Sequence, residues 1–108
     1  MPDKRYSINE LDFIWDEDKN KINQKIHGIS FEIAALVFND ELRLEFEDRL
    51  HNKDEVRYNV IGLVHDVLFV VYTERFEQNT NGSLIRLISA RPATKIEIDA
   101  YNNNVFGR

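Results

Sequence analysis

The run Val67-Leu68-Phe69-Val70-Val71-Tyr72 is apolar at every position, so a strand built from it must be covered on both faces. That requirement places it at the centre of a sheet, entered through a tight turn at His65-Asp66 and continuing to Arg75. Its neighbours read as strands of the same sheet. Leu42, Leu44 and Phe46 alternate with Arg43, Glu45 and Glu47, giving a half-exposed strand with a charged outer face, and Val56 to Leu63 is rich in β-formers. Leu84 to Arg91 reads as a last strand, reached through an exposed turn at Asn79-Thr80-Asn81-Gly82. It carries two cations, Arg86 and Arg91. A buried cation costs several kcal/mol unless it is paired, so these two imply either internal carboxylates or an anionic ligand.

The first third of the chain reads differently. Leu11, Phe13 and Trp15 suggest a short strand, after which Asp16-Glu17-Asp18 places acids where a helix begins. Lys19 to His27 continues that helix, with Ile22 and Ile26 as a narrow apolar stripe, and Gly28 ends it. Ser30 then caps a second, apolar helix over Phe31 to Phe38. At the other end, Thr94-Lys95-Ile96-Glu97 has the form of a capping box and opens a final helix. The expected fold is α+β, with an N-terminal helical hairpin and a C-terminal helix packed on a twisted antiparallel sheet of about four strands. Residues 1–108 are expected to form a single domain, with 1–10 and 102–108 as flexible termini.

Composition narrows the function. The chain has no cysteine, which excludes a disulfide framework and any thiolate nucleophile or thiolate metal site. It has no apolar run long enough to span a bilayer, and its N-terminus lacks the apolar centre of a signal peptide, so a cytoplasmic location is expected. The net charge of −5 is unevenly spread: residues 1–48 hold twelve acids against six bases, whereas residues 84–108 hold four bases against two acids. A locally basic end on an acidic chain leaves room for an anion site, or for a basic partner elsewhere.

His27, His51 and His65 fall on different segments without a second ligand at metal-site spacing, so no metal and no cofactor are expected. Neither a G-x-S-x-G elbow nor a P-loop is present. What remains is a set of cations and acid–base groups at strand ends: His51, Glu55 and Arg57, then Glu74 and Arg75, then Arg86 and Arg91. Strand ends meet in an antiparallel meander, so these groups could share one edge. Cleavage of RNA by its own 2′-hydroxyl needs a base, an acid and cations that stabilise the phosphorane. Histidine and arginine suit those roles. Ordinary cross-strand ion pairs account for the same residues equally well.

An ordered set of segments resembles the BrnT toxins: Trp15-Asp16-Glu17, Lys19 to Lys25, His27 to Glu32, Asp48-Arg49, His51, Glu55, Arg57, Ile61-Gly62, Val71 to Arg75, Arg86 to Arg91, then Ala93-Thr94, Glu97 and Tyr101. The resemblance implies a RelE-like fold and the toxin half of a type II toxin–antitoxin pair. It implies an endoribonuclease that inhibits translation, neutralised by a BrnA-like antitoxin in a hetero-oligomer that reaches operator DNA only through the antitoxin. On motif positions, His51, Glu55, Arg57, Arg91 and Tyr101 are the candidate catalytic residues, and Lys25, Arg75, Arg86 and Lys95 the candidate RNA phosphate ligands. The family pattern has a lysine where this chain has Ile26 and an arginine where it has Pro92. Those departures keep a second expectation open, a catalytically weak or inactive binding module that acts with its antitoxin in operon autoregulation.

Overall fold

The computed structural model describes residues 3–49, 55–77 and 82–106. Its elements run β1 (Asp3–Ile8), β2 (Leu11–Asp16), α1 (Glu17–His27), α2 (Phe31–Ala34) passing into a 3₁₀ turn (Ala35–Asn39), β3 (Leu44–Glu47), β4 (Arg57–Val64), β5 (Asp66–Glu77), β6 (Gly82–Pro92) and α3 (Lys95–Phe106). The strands make one six-stranded sheet in the order β1-β2-β6-β5-β4-β3, so the all-apolar run of β5 lies at its centre. All neighbouring pairs are antiparallel except β2 and β6, which run parallel through Phe13↔Ile85 and Ile14↔Arg86.

This mixed sheet corrects the expected RelE-like picture of an N-terminal helical hairpin on four antiparallel strands. The extra strand β1 pairs with β2 from Asp3↔Asp16 to Ile8↔Leu11. Its two-residue turn, Asn9-Glu10, has positive φ at both positions (50° and 68°), which matches the twist of the flanking strands. Without the usual glycine the turn leaves little trace in the sequence. The parallel β2–β6 contact joins segments about seventy residues apart, beyond the reach of local periodicity.

The second helix of the expected hairpin also falls short. Ser30 does cap it, its Oγ accepting from the Ile33 N–H at 3.1 Å, but the α-helix lasts only four residues. The chain then tightens to 3₁₀ geometry and buries Ala35, Val37 and Phe38. Gly62 of β4 allows that turn to lie against the sheet, since a Cβ there would sit 2.9 Å from Val37 Cβ.

Helix α1 inverts the sequence reading of its faces. Ile22 and Ile26 are 55% and 68% exposed, while Asn20 and Asn23 are buried. Their amides satisfy backbone that would otherwise be stranded. Asn23 Nδ2 donates to the Ile29 and Ala90 carbonyls at 2.9 and 2.8 Å, and its Oδ1 accepts from the Ala90 N–H. Asn20 Oδ1 accepts from the Phe31 N–H at 2.8 Å. Hydrogen-bond bookkeeping, rather than apolar area, docks this helix.

The main core lies between the sheet and α1, α2 and the 3₁₀ turn, around Phe13, Trp15, Phe31, Val37, Val60, Val70 and Leu87. Edge-on ring contacts of Trp15 with Phe31 (5.9 Å) and Phe38 with Tyr72 (5.1 Å) knit it together. Ile61 and Tyr101 are buried outside this cluster. Ile61 alternates with core-facing Val60 on β4, and α3 packs against β4, so α3 covers one end of the sheet's second face. No described helix is long and apolar enough to cross a membrane.

Candidate functional site

The second face of the sheet carries the cations. Residues directly opposite one another across a sheet point to the same side. The register sets Arg57 beside Thr73 and Thr73 beside Arg86, with Ile14 and Arg5 completing the row across β2 and β1. The next row is Phe46, Asn59, Val71 and Ser89, and the next Leu44, Ile61, Phe69 and Arg91. An irregularity between Val71 and Tyr72 leaves Ile88 as an extra residue in β6 and lets Arg86 and Arg91 share this face.

Carboxylates stand beside Arg75, Arg86 and Arg91. Arg75 lies 3.4 Å from Glu55, and Arg86 lies 3.2 Å from Asp3. Arg91 makes two hydrogen bonds to Glu97, at 2.8 and 2.9 Å, and a third to the Pro92 carbonyl at 3.2 Å. Its guanidinium also lies over the Phe69 ring, 4.1 Å from the centroid. The hydrogen bond from Arg91 holds the Glu97 carboxyl below its ordinary range, against the opposing effect of burial.

Two buried side chains on this face each carry an oxygen with no hydrogen-bond partner among the described residues. Thr73 is 1% exposed and Asn59 is 7% exposed. Neither Thr73 Oγ1 nor Asn59 Oδ1 has a hydrogen-bond partner among the described residues. Asn59 lines a cavity of about 410 Å³ together with Arg57, Phe69, Val71, Ser89 and Arg91.

Residues 15–97 match the family model described as the ribonuclease toxin, BrnT, of type II toxin–antitoxin systems. The chain belongs to the BrnT family. No curated protein sequence matches it. BrnT proteins are the ribonuclease toxins of type II toxin–antitoxin pairs, so an antitoxin partner and an RNA substrate come with membership. The matched stretch runs from the end of β2 to the first turn of α3. It contains Arg57, Arg75, Arg86 and Arg91, whereas Asp3 and Tyr101 lie outside it.

Against this BrnT frame, the residues singled out from sequence separate into groups. Arg57, Arg86 and Arg91 share the open face, with the Glu55–Arg75 pair at its margin. His51 lies outside the described residues. Tyr101 donates its hydroxyl proton to Asp40 Oδ2, and burial together with that bond pushes its pKa up to about 12. Lys25 is exposed on α1, in the layer on the other side of the sheet from Arg57. Lys95 stands in solvent, 3.6 Å from Asp99 one helical turn away. Ile26 is likewise on α1, so a lysine at that position would not reach the open face. Pro92 adjoins Arg91 directly and offers it a carbonyl.

The sequence reading missed Asn59, Thr73 and Asp40. Asn59 and Thr73 are polar residues inside β-rich runs, Asn59 in step with Arg57 and Ile61 on β4 and Thr73 with Phe69 and Val71 on β5, and that interruption was the available signal. Asp40 gave none. It accepts from Leu42 N–H two residues on, and from Leu63 N–H and Tyr101, and the last two bonds exist only once the chain is folded. Among the described residues, no group of three His, Asp or Glu is arranged to hold a metal ion.

Proposed function

We propose that this BrnT toxin is an endoribonuclease that acts without a metal, gripping a phosphodiester on the open face and letting the RNA's own 2′-hydroxyl attack it. The row Arg57–Thr73–Arg86 carries this reading, because it sets two arginines on the strands that flank a buried hydroxyl, two strand spacings apart. Guanidinium forks match phosphate oxygens and stabilise the charge that builds up on a phosphorane. Glu55, two residues before Arg57 and 3.4 Å from Arg75, takes the role of 2′-OH base, and His51 shares that proposal. Asp3 and Glu55 are partly exposed acids on Arg86 and Arg75, so an incoming phosphate can displace them at modest cost. Arg91 and Tyr101, each bonded to a carboxylate, act here as framework that fixes α3 on the sheet.

The antitoxin is proposed to be BrnA-like and to contribute the DNA-binding part of the complex. The acidic first half of the chain supports a basic segment as its partner. One observation favours the non-catalytic reading: Arg75, Arg86 and Arg91 all have carboxylate neighbours within the chain. A single experiment separates the two. Purified toxin is incubated with end-labelled RNA in EDTA. Fragments ending in 2′,3′-cyclic phosphate, lost in Arg57→Ala and Arg86→Ala but retained in Lys25→Ala, are the expected result. Uncleaved RNA, or cleavage indifferent to Arg57 and Arg86, would overturn the proposal.

A further inference from the structure

The cavity beside the arginine row is suited to something other than phosphate. Arg57 and Arg91 are its cations, Asp48 lies in its wall, and Glu97 is already bonded to Arg91, so these four charges cancel. Phe69, Val71 and Ile88 supply apolar wall. A second phosphate gains little there, whereas a flat, uncharged ring gains contact area.

Arg91 is held in an unusual way for such a ring. Three of its five N–H groups are engaged by Glu97 and the Pro92 carbonyl, and its central carbon lies over the Phe69 ring. Its side chain is still 35% exposed. It therefore presents to a ligand a guanidinium that is partly exposed and held in place before anything binds. Unstacked RNA bases stack on arginine planes of this kind as readily as on aromatic rings.

Asn59 supplies the complementary edge. Its Oδ1 is buried and has no partner among the described residues, a state that folding alone does not reward. A carboxamide pairs a hydrogen-bond acceptor with a donor, and adenine offers a matching amino donor and ring-nitrogen acceptor on one edge. We propose that this cavity is a base-reading subsite, in which an adenine of the substrate stacks on Arg91 and is recognised by the amide of Asn59. The proposal deepens the ribonuclease reading and rests on RNA being the ligand of this face. It assigns Asn59 and Arg91 to specificity, and Arg57 and Arg86 to the phosphate.

The test uses the whole toxin and the four nucleoside 5′-monophosphates as probes, followed by amide resonances in solution. AMP is expected to shift Asn59, Val71 and Ser89 and to bind about tenfold more tightly than CMP, GMP or UMP. Asn59→Ala and the near-isosteric Asn59→Leu should both flatten that preference, with binding that remains through Arg91. Equal affinity for all four nucleotides, preference for another base, or an undiminished AMP preference in both variants would overturn the subsite. Binding is read separately from cleavage. Selective AMP binding by a toxin that cuts no RNA would leave the subsite standing and defeat the ribonuclease mechanism. Cleavage by a toxin with no base preference would do the reverse.

Discussion

Arg91 and Glu97 face each other through two parallel hydrogen bonds, Nη1 to Oε1 at 2.8 Å and Nη2 to Oε2 at 2.9 Å, across the junction of β6 and α3. The same carboxylate accepts from the Thr94 N–H at 2.8 Å while Thr94 Oγ1 accepts from the Glu97 N–H. One side chain thus completes both a helix cap and a strand-to-helix clamp.

Glu97→Gln should therefore destabilise the fold by about 2 kcal/mol, as charge-assisted bonds become neutral and the cap weakens. The pH dependence follows from the sign of the shift. The folded pKa of Glu97 lies below the ordinary value of 4.5, with the Arg91 hydrogen bond as the largest cause. The clamp's contribution is then complete above that value and is lost as pH falls through the lower, folded one. Urea titrations between pH 7 and 3 should show wild type and Glu97→Gln converging toward the acid end. A gap that stays constant over that range would remove the clamp from acid stability.

Thr73 makes the opposite prediction. Its hydroxyl is buried at the centre of the sheet with no partner among the described residues. Replacing it with valine keeps the shape and removes the stranded group, so Thr73→Val should raise stability by about 1 kcal/mol. In most proteins the same substitution in a core is costly, because the hydroxyl is satisfied. Thermal unfolding decides, and a lower midpoint for Thr73→Val would mean that the hydroxyl has a partner in solution.

Gly62 tests how the 3₁₀ turn meets the sheet. Val37 Cβ and the Val37 carbonyl would lie 2.9 and 3.2 Å from a new methyl group. Both atoms belong to Val37, a buried β-branched residue whose backbone is part of the contact, so there is little room to yield. Gly62→Ala should cost about 1–3 kcal/mol by overpacking, measured as a lower urea midpoint with an unchanged slope.

Local devices were the legible part of this fold. Asp16, Ser30 and the Thr94–Glu97 box each act within three residues, and Gly28 at φ 70° ends α1, so sequence spacing displays them directly. The apolar run of β5 was legible for a similar reason, since burial on both faces leaves no alternation. What escaped notice depends on distant pairings. The open face exists because β2 joins β6 in parallel and the irregularity in β6 resets its alternation. Arg86 and Asp3 are 83 residues apart, and no periodicity links them. On α1 the apolar stripe misled, because the helix docks through two asparagine amides that answer backbone groups from three other segments.

Tyr101 gives the sharpest division between framework and chemistry. Its hydroxyl donates to Asp40, which also accepts from the backbone N–H groups of Leu42 and Leu63. Burial raises the carboxyl pKa of Asp40, yet these bonds outweigh it and leave the pKa low, while burial and the same contact push Tyr101 up to about 12. A phenol so placed gives up its proton poorly near neutral pH and already uses it to anchor α3. Tyr101→Phe should therefore lower stability by about 1 kcal/mol or more while leaving the cleavage rate of folded toxin within a few-fold of wild type. An acid–base role would instead cost 10²-fold or more, on the usual scale of general acid–base catalysis. Rates measured well below the unfolding midpoint of the variant separate these outcomes, and a hundredfold loss there would place Tyr101 among the reacting groups.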